Sequence, residues 1–327
     1  MKNFADRLLE AIDEKQNPCC IGLDPRIKNI PQYIRDENID KYGNTMEAVG
    51  RSFLDFNMGI IDATHDVVPA YKPQMAFYEQ YGEFGVAAFK RTVEHVKRNG
   101  CIAIEDAKRN DIGSTSKAYA DGHLGEVELC DATTKPSLDV DAITVNPYLG
   151  SDCTNPFVEN CKKHGKGIFV LVKTSNKSSG EIQDKQTDIF GDAEKLGYVP
   201  QVFTDVAQLV DEWGRDVIGE RGYSSVGAVV GATYPIQAIT TRKLMSKAII
   251  LVPGVGAQGA TGKDTIPNFN KDGQGAIINS SRGIIFAYQT EQFKRNEFEF
   301  DKAARESALA MKDDITSALK EAGILRW

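Results

Sequence analysis

Long apolar runs are missing from this chain. No stretch approaches the ~18 consecutive apolar residues of a membrane-spanning helix, so no membrane role is expected. Positive charge is in deficit: 39 Lys and Arg stand against 46 Asp and Glu, a net charge of −7. A nucleic-acid partner therefore has no support from the chain as a whole. Small anionic substrates stay open, because local clusters bind those. Cysteine is sparse and unpatterned, with Cys19, Cys20, Cys101, Cys130, Cys153 and Cys161 forming no CxxC pair. The four histidines (His65, His95, His123, His164) are equally scattered. That pattern predicts no metal centre and reduced thiols of the cytoplasmic kind. The N-terminus lacks a basic start followed by an unbroken apolar run, and Phe4, Leu8 and Ile12 instead fall on one helical face. A signal peptide is not expected. No internal low-complexity tract is seen, and no second domain is expected.

What is there has the composition of a packed globular chain: 327 residues, 41% hydrophobic, 26% charged, 29 Gly and 12 Pro. At roughly 150 residues per domain the length suggests two units, but α/β barrels exceed 250 residues as one. Eight short runs rich in Val, Ile or Ala end in polar or glycine-rich turns, at 19–24, 67–72, 101–108, 141–146, 167–173, 226–231, 248–253 and 275–279. Such runs read as buried parallel strands. Helical patterns lie between them: Phe53, Phe56, Ile60, Ile61 and Thr64; Val86, Phe89, Val93 and Val96; Val202, Val206, Leu209, Val210 and Trp213; and finally Ala303, Ala310, Ile315 and Leu319. Eight alternating units predict an α/β (β/α)8 TIM barrel, with residues 1–327 as one domain. A doubly wound open sheet is the competing architecture. Two insertions, 26–44 after the first strand and 176–200 after the fifth, account for the extra length. Both fall on the rim where barrel strands end and catalysis is sited.

The most informative stretch is Ala103-Ile104-Glu105-Asp106-Ala107-Lys108-Arg109-Asn110-Asp111-Ile112-Gly113-Ser114-Thr115. Alternation places Ile102, Ile104, Asp106 and Lys108 on one strand face. The apolar members then descend into the barrel and the charged pair sits at its mouth. Asp111 follows in the turn, and Lys72 ends the neighbouring second strand. A structural ion-pair network at the strand ends would also explain these charges. Yet ion pairs that lose hydration rarely add stability, so the field they create is the better reason for them. Asp106 between lysines should stay ionised and Lys108 beside carboxylates should stay protonated. A fixed ammonium acid beside fixed negative charge can protonate a carbanion and repel a substrate carboxylate.

The run D-x-K-x-x-D-[I/V]-[G/P]-x-T resembles the signature of the orotidine 5′-phosphate decarboxylase family, and the longer stretch from Asp106 to Thr115 is similar to its bacterial type 2 subfamily. Asn110 departs from the Gly expected there, though Asn tolerates a left-handed backbone well. The resemblance implies conversion of orotidine 5′-phosphate to UMP and CO2 without metal or organic cofactor. It implies Lys108 as proton donor to C6, Asp106 and Asp111 against the substrate carboxylate, and Lys72 orienting Asp106 and binding ribose. It further implies a homodimer with a shared active site, in which Asp111, Ile112 and Thr115 reach the partner's site.

The remaining rim adds Pro253-Gly254-Val255-Gly256-Ala257-Gln258-Gly259-Ala260 after the seventh strand and Asn279-Ser280-Ser281-Arg282-Gly283 after the eighth. Loops seven and eight of phosphate-binding barrels supply N–H groups and a cation, and an arginine grips two phosphate oxygens at once. The resemblance implies Gln258 and Arg282 as phosphate contacts, Asp24 on a ribose hydroxyl, and Thr174 and Ser175 near the pyrimidine's amide edge. Asp24 read alone is equally a turn former. Gln74 is a further ribose candidate, Lys173 reads as structural or solvated, and Asn146 and Tyr148 as rim packing. Two rivals remain. A Mg²⁺-dependent sugar-phosphate decarboxylase or aldolase of the same superfamily would carry an acidic ligand where Lys72 stands, and lysine there repels Mg²⁺. A non-catalytic nucleotide-phosphate binder would lack a member of the Lys/Asp set, and none is missing.

Overall fold

The computed structural model describes residues 1–187, 196–256 and 259–327. Its strands are β1 (Cys19–Leu23), β2 (Ala70–Pro73), β3 (Ile102–Arg109), β4 (Glu126–Glu128), β5 (Thr134–Pro136), β6 (Ala142–Val145), β7 (Gly167–Lys173), β8 (Ser224–Val230), β9 (Ala248–Pro253) and β10 (Ala276–Ser280). Eight of them close into a barrel in the order β1-β2-β3-β6-β7-β8-β9-β10, while β4 and β5 pair as a small antiparallel hairpin outside it. All barrel pairings are parallel, from Gly22 opposite Lys72 round to Cys19 opposite Ile278. The fold is the (β/α)8 barrel that the alternating runs predict, and the open doubly wound sheet is excluded.

Alternation along each strand divides the core in two. Cys20, Ala70, Ile102, Ile104, Ala142, Phe169, Val229, Ile249, Leu251 and Ile277 pack inside the barrel. Their neighbours Ile21, Ala103, Ile143, Val170, Ala228, Ile250 and Ile278 face the surrounding helices, as a strand period of two requires. The N-terminal helix Phe4–Lys15 plugs the far end, with Phe4, Leu8 and Ile12 in the inner cluster and Phe4 set edge-on to Phe169 at 5.9 Å. Gly167 is required here, since a Cβ would stand 2.2 Å from the Phe4 ring.

Two helical faces differ from the pattern read in the sequence. In Val202–Trp213 the buried positions are Phe203, Thr204, Ala207 and Val210, while Val202 and Val206 turn toward a cavity at the rim. In the last helix, Phe300–Glu321, Ala310 is exposed and Met311 is buried in its place. The buried series 303, 307, 311, 315, 319 advances by four residues, and Ala310 lies off that stripe. The first insertion folds as a 3-10 turn, Ile27–Asn29, and a helix, Gln32–Tyr42. Of the second, the described part begins with the turn Lys177–Glu181.

Candidate active site

The C-terminal end of β3 carries the site. Lys72 Nζ donates to Asp106 Oδ2 at 2.8 Å, and Lys108 Nζ donates to Asp106 Oδ1 at 2.5 Å. One carboxylate thus spans two ammonium groups. Lys72 is only 4% exposed, whereas Lys108 reaches into solvent. Burial pushes the Asp106 carboxyl up, but the Lys72 and Lys108 charges outweigh it and hold the group well below the usual carboxylate range. For Lys72, burial works against the charge, yet Asp106 and then Asp24 keep its ammonium above the ordinary lysine value. Both groups are therefore ionised throughout the physiological range, as the residue pattern predicts for Asp106.

Lys108 is one of four non-glycine residues with positive φ among the described residues, at +51°. The β3–β6 register shifts between Glu105 and Arg109 at the same place. This irregularity re-aims a side chain at the rim, a common use of strand bulges. The N–H groups of Ala107 and Lys108 turn from the ladder to Thr144 Oγ1, at 3.0 and 2.9 Å. Asn110, by contrast, does not adopt the left-handed backbone that its residue type suggested. Its amide is used instead, donating to Asn146 O and accepting from Asp111 N.

The other expected residues divide into three groups. Asp24 lies beside Lys72 at the end of β1, and its Oδ1 is buried with no hydrogen-bond partner. Gly22 lets Ser281 close over this corner, because a Cβ would meet Ser281 Oγ at 1.8 Å. Arg282 is exposed and makes no ion pair among the described residues. In the preceding loop Gly254, Gly256 and Gly259 all have positive φ, a curl only glycine adopts cheaply. Gln258, expected there, lies outside the described residues. Thr174 and Ser175 follow β7, and here the structure separates them. Gln183 Oε1 accepts from Thr174 N at 3.0 Å and its Nε2 donates to Thr174 Oγ1 at 2.8 Å. Ser175 N and Oγ make no hydrogen bond among the described residues.

Asp111 does not join the lysines within this chain: its Oδ1 accepts from Ile112 N at 2.7 Å, and no ion pair links it to Lys72 or Lys108. Ile112 is 62% exposed and Thr115 is also at the surface. Tyr148, read as rim packing, is instead 83% exposed, while Asn146 caps the turn below it by accepting from Tyr148 N. Sequence reasoning missed Thr144 and Gln183. Thr144 is the lone hydroxyl in an otherwise apolar strand, the one signal that pointed to it. Gln183 lay in an insertion with no periodicity to read. Lys173 is fully buried, bonded to Ser179 and Asp184 with Tyr234 beneath its ammonium at 4.3 Å, and is structural.

A closed (β/α)8 barrel with a Lys–Asp–Lys row at its mouth, a glycine-curled loop and an arginine just past the next strand is an architecture suited to an enzyme of phosphate esters. Comparison with known proteins narrows this class. The family model described as orotidine 5′-phosphate decarboxylase / HUMPS family matches residues 18–295. An orotidine 5′-phosphate decarboxylase of Rhodopirellula baltica is 40% identical over 317 residues, spanning 96% of this chain and 99% of that one. The structure of Leishmania donovani OMP decarboxylase superposes with a TM-score of 0.69 at 28% identity, covering 97% of this chain and 98% of that one. Leishmania donovani UMP synthase matches with a TM-score of 0.69 at 29% identity, over 95% of this chain but 57% of that longer one. This chain belongs to the orotidine 5′-phosphate decarboxylase / HUMPS family.

Proposed function

We propose that this chain is a carboxy-lyase that converts orotidine 5′-phosphate to UMP and CO2 in de novo pyrimidine synthesis. The observation that carries the reading is the Lys72–Asp106–Lys108 row, with its shared carboxylate held ionised between two ammonium groups. In the reaction the bond between C6 and the carboxyl carbon breaks, CO2 leaves, and the electron pair stays on C6. Asp106, with Asp111 supplied by a second subunit, crowds the departing carboxylate. Lys108 stabilises the developing carbanion and transfers a proton to C6, after which its amine regains a proton from water. Charge already in place needs no reorganisation during the step.

Asp24 would accept from a ribose hydroxyl through its unpartnered Oδ1. Ser175, with Thr174 behind it, would face the pyrimidine's amide edge, and Arg282 with Gln258 would hold the phosphate. Binding energy from that remote phosphate can be realised in the transition state. No cofactor enters this scheme. Lys72 favours it over Mg²⁺-dependent chemistry, because a buried ammonium stands where a metal would need an oxygen ligand. The spelling of 106–115 and the two insertions favour the type 2 subfamily, with residues 1–327 as one catalytic domain. No helix among the described residues is long and apolar enough to cross a membrane, and all six cysteines are unpaired, as suits a cytoplasmic enzyme. The loss of ultraviolet absorbance on conversion of orotidine 5′-phosphate, followed in EDTA, tests the proposal. Steady turnover is the expected result; strict dependence on added Mg²⁺, or binding without turnover, overturns it.

A further inference from the structure

We infer that Thr144 is a positioning residue for the proton donor, holding the Lys108 backbone in its left-handed conformation through one buried hydroxyl. The inference rests on Lys108 being that donor. Three observations meet here. Thr144 sits on the strand next to β3 and is 1% exposed, so its hydroxyl has no water to satisfy it. That hydroxyl accepts from Ala107 N at 3.0 Å and from Lys108 N at 2.9 Å. Its own proton goes to Asp106 Oδ1 at 3.1 Å. A hydroxyl has one proton and two lone pairs, and all three are used on two consecutive residues and the carboxylate that fixes Lys108.

The strand explains why a side chain is needed. Regular β3–β6 pairing stops at Glu105 and resumes at Arg109. Between them the N–H groups of Ala107 and Lys108 lose their ladder acceptors, and buried N–H groups are seldom left unpaired. Thr144 Oγ1 replaces both acceptors with a single atom. Drawing two successive N–H groups to one point curls the chain, which is the geometry Lys108 shows at φ +51°. Strained conformations at functional sites persist only where neighbours over-determine them, and Thr144 is that neighbour. Asp106 receives the third bond, so the backbone of Lys108 and its ion-pair partner are referenced to the same oxygen.

Valine has nearly the shape of threonine and no hydroxyl. In Thr144→Val the two N–H groups lose their acceptor, Lys108 relaxes toward ordinary φ, and its ammonium moves off line. A misplacement of about 1 Å costs roughly a hundredfold in rate. The expected result is kcat lowered by about 10²-fold, with KM for orotidine 5′-phosphate and the affinity for UMP changed less than threefold. Thr144→Ser, which restores the hydroxyl, recovers most of the rate. A purely structural role would shift KM, UMP affinity and melting temperature together and would not be rescued by serine. If Thr144→Val keeps wild-type kcat, or if serine is as impaired as valine, the inference is wrong. Should valine prevent folding, Thr144→Ala gives the same comparison against serine. Wild-type turnover is the control: its absence would overturn the proposed function, whereas a normal valine variant of an active enzyme overturns only the part given to Thr144.

Discussion

An L-residue held at positive φ is about 1–2 kcal/mol above its ordinary conformations, so Lys108 at +51° stores strain at the proposed proton donor. Glycine takes this backbone without penalty, and that gives a sign to test. In most sites Ala is more stable than Gly; at position 108 the order should reverse, with Lys108→Gly more stable than Lys108→Ala by about 1 kcal/mol. Urea denaturation measures the difference, and both variants should lack decarboxylation. An Ala variant more stable than Gly would mean the backbone is not left-handed in solution. The sequence made the charges at 72, 106 and 108 readable, because alternation along β3 fixes which face they share. It did not reveal the bulge, since a period of two contains no term for an interruption. The same gap misassigned Asn110: the residue type tolerates a left-handed turn, but the strand places that turn two residues earlier.

At the scale of elements, the eight strands were legible because each begins or centres on a short apolar run and ends in a turn, as buried parallel strands do. The insertion at 176–200 was legible as to place and opaque as to attachment. Its root is bolted to the end of β7 by Lys173, which bonds Ser179 and Asp184 over the ring of Tyr234 in the loop after β8, and by Gln183 on Thr174. Lysine reads as a surface residue in any propensity argument, and nothing local distinguishes one that is fully buried. Removing one partner of a buried pair typically costs about 3 kcal/mol. Because Asp184 is partly exposed and can rehydrate, Lys173→Ala should lose somewhat less, about 2–3 kcal/mol. The loss is expected to be local as well: limited proteolysis should cut within 176–200 sooner than in the wild type. An unchanged cleavage rate would show that Gln183 and the turn hold the insertion without Lys173.

The barrel closes its sheet and presents no strand edge of its own to another chain, so the proposed association is placed on side chains at the rim. Ile112, Tyr148, Leu149 and Ile182 are large apolar residues exposed there, at 62%, 83%, 47% and 60%. Asp111, one residue before Ile112, makes no ion pair with Lys72 or Lys108 of its own chain, which is the arrangement a site completed by a second subunit requires. The proposed homodimer can be tested with two variants that are each inactive. Lys108→Ala lacks the donor and Asp111→Ala lacks the carboxylate lent to the partner. When equal amounts exchange subunits at random, half of the dimers are mixed. In each mixed dimer one site receives both defects and the other receives neither. The mixture should therefore recover about a quarter of wild-type activity if the dimer has twofold symmetry, and dilution below the dissociation range should abolish it. If Asp111 serves its own chain, both sites of every mixed dimer contain one defect, and mixing restores nothing.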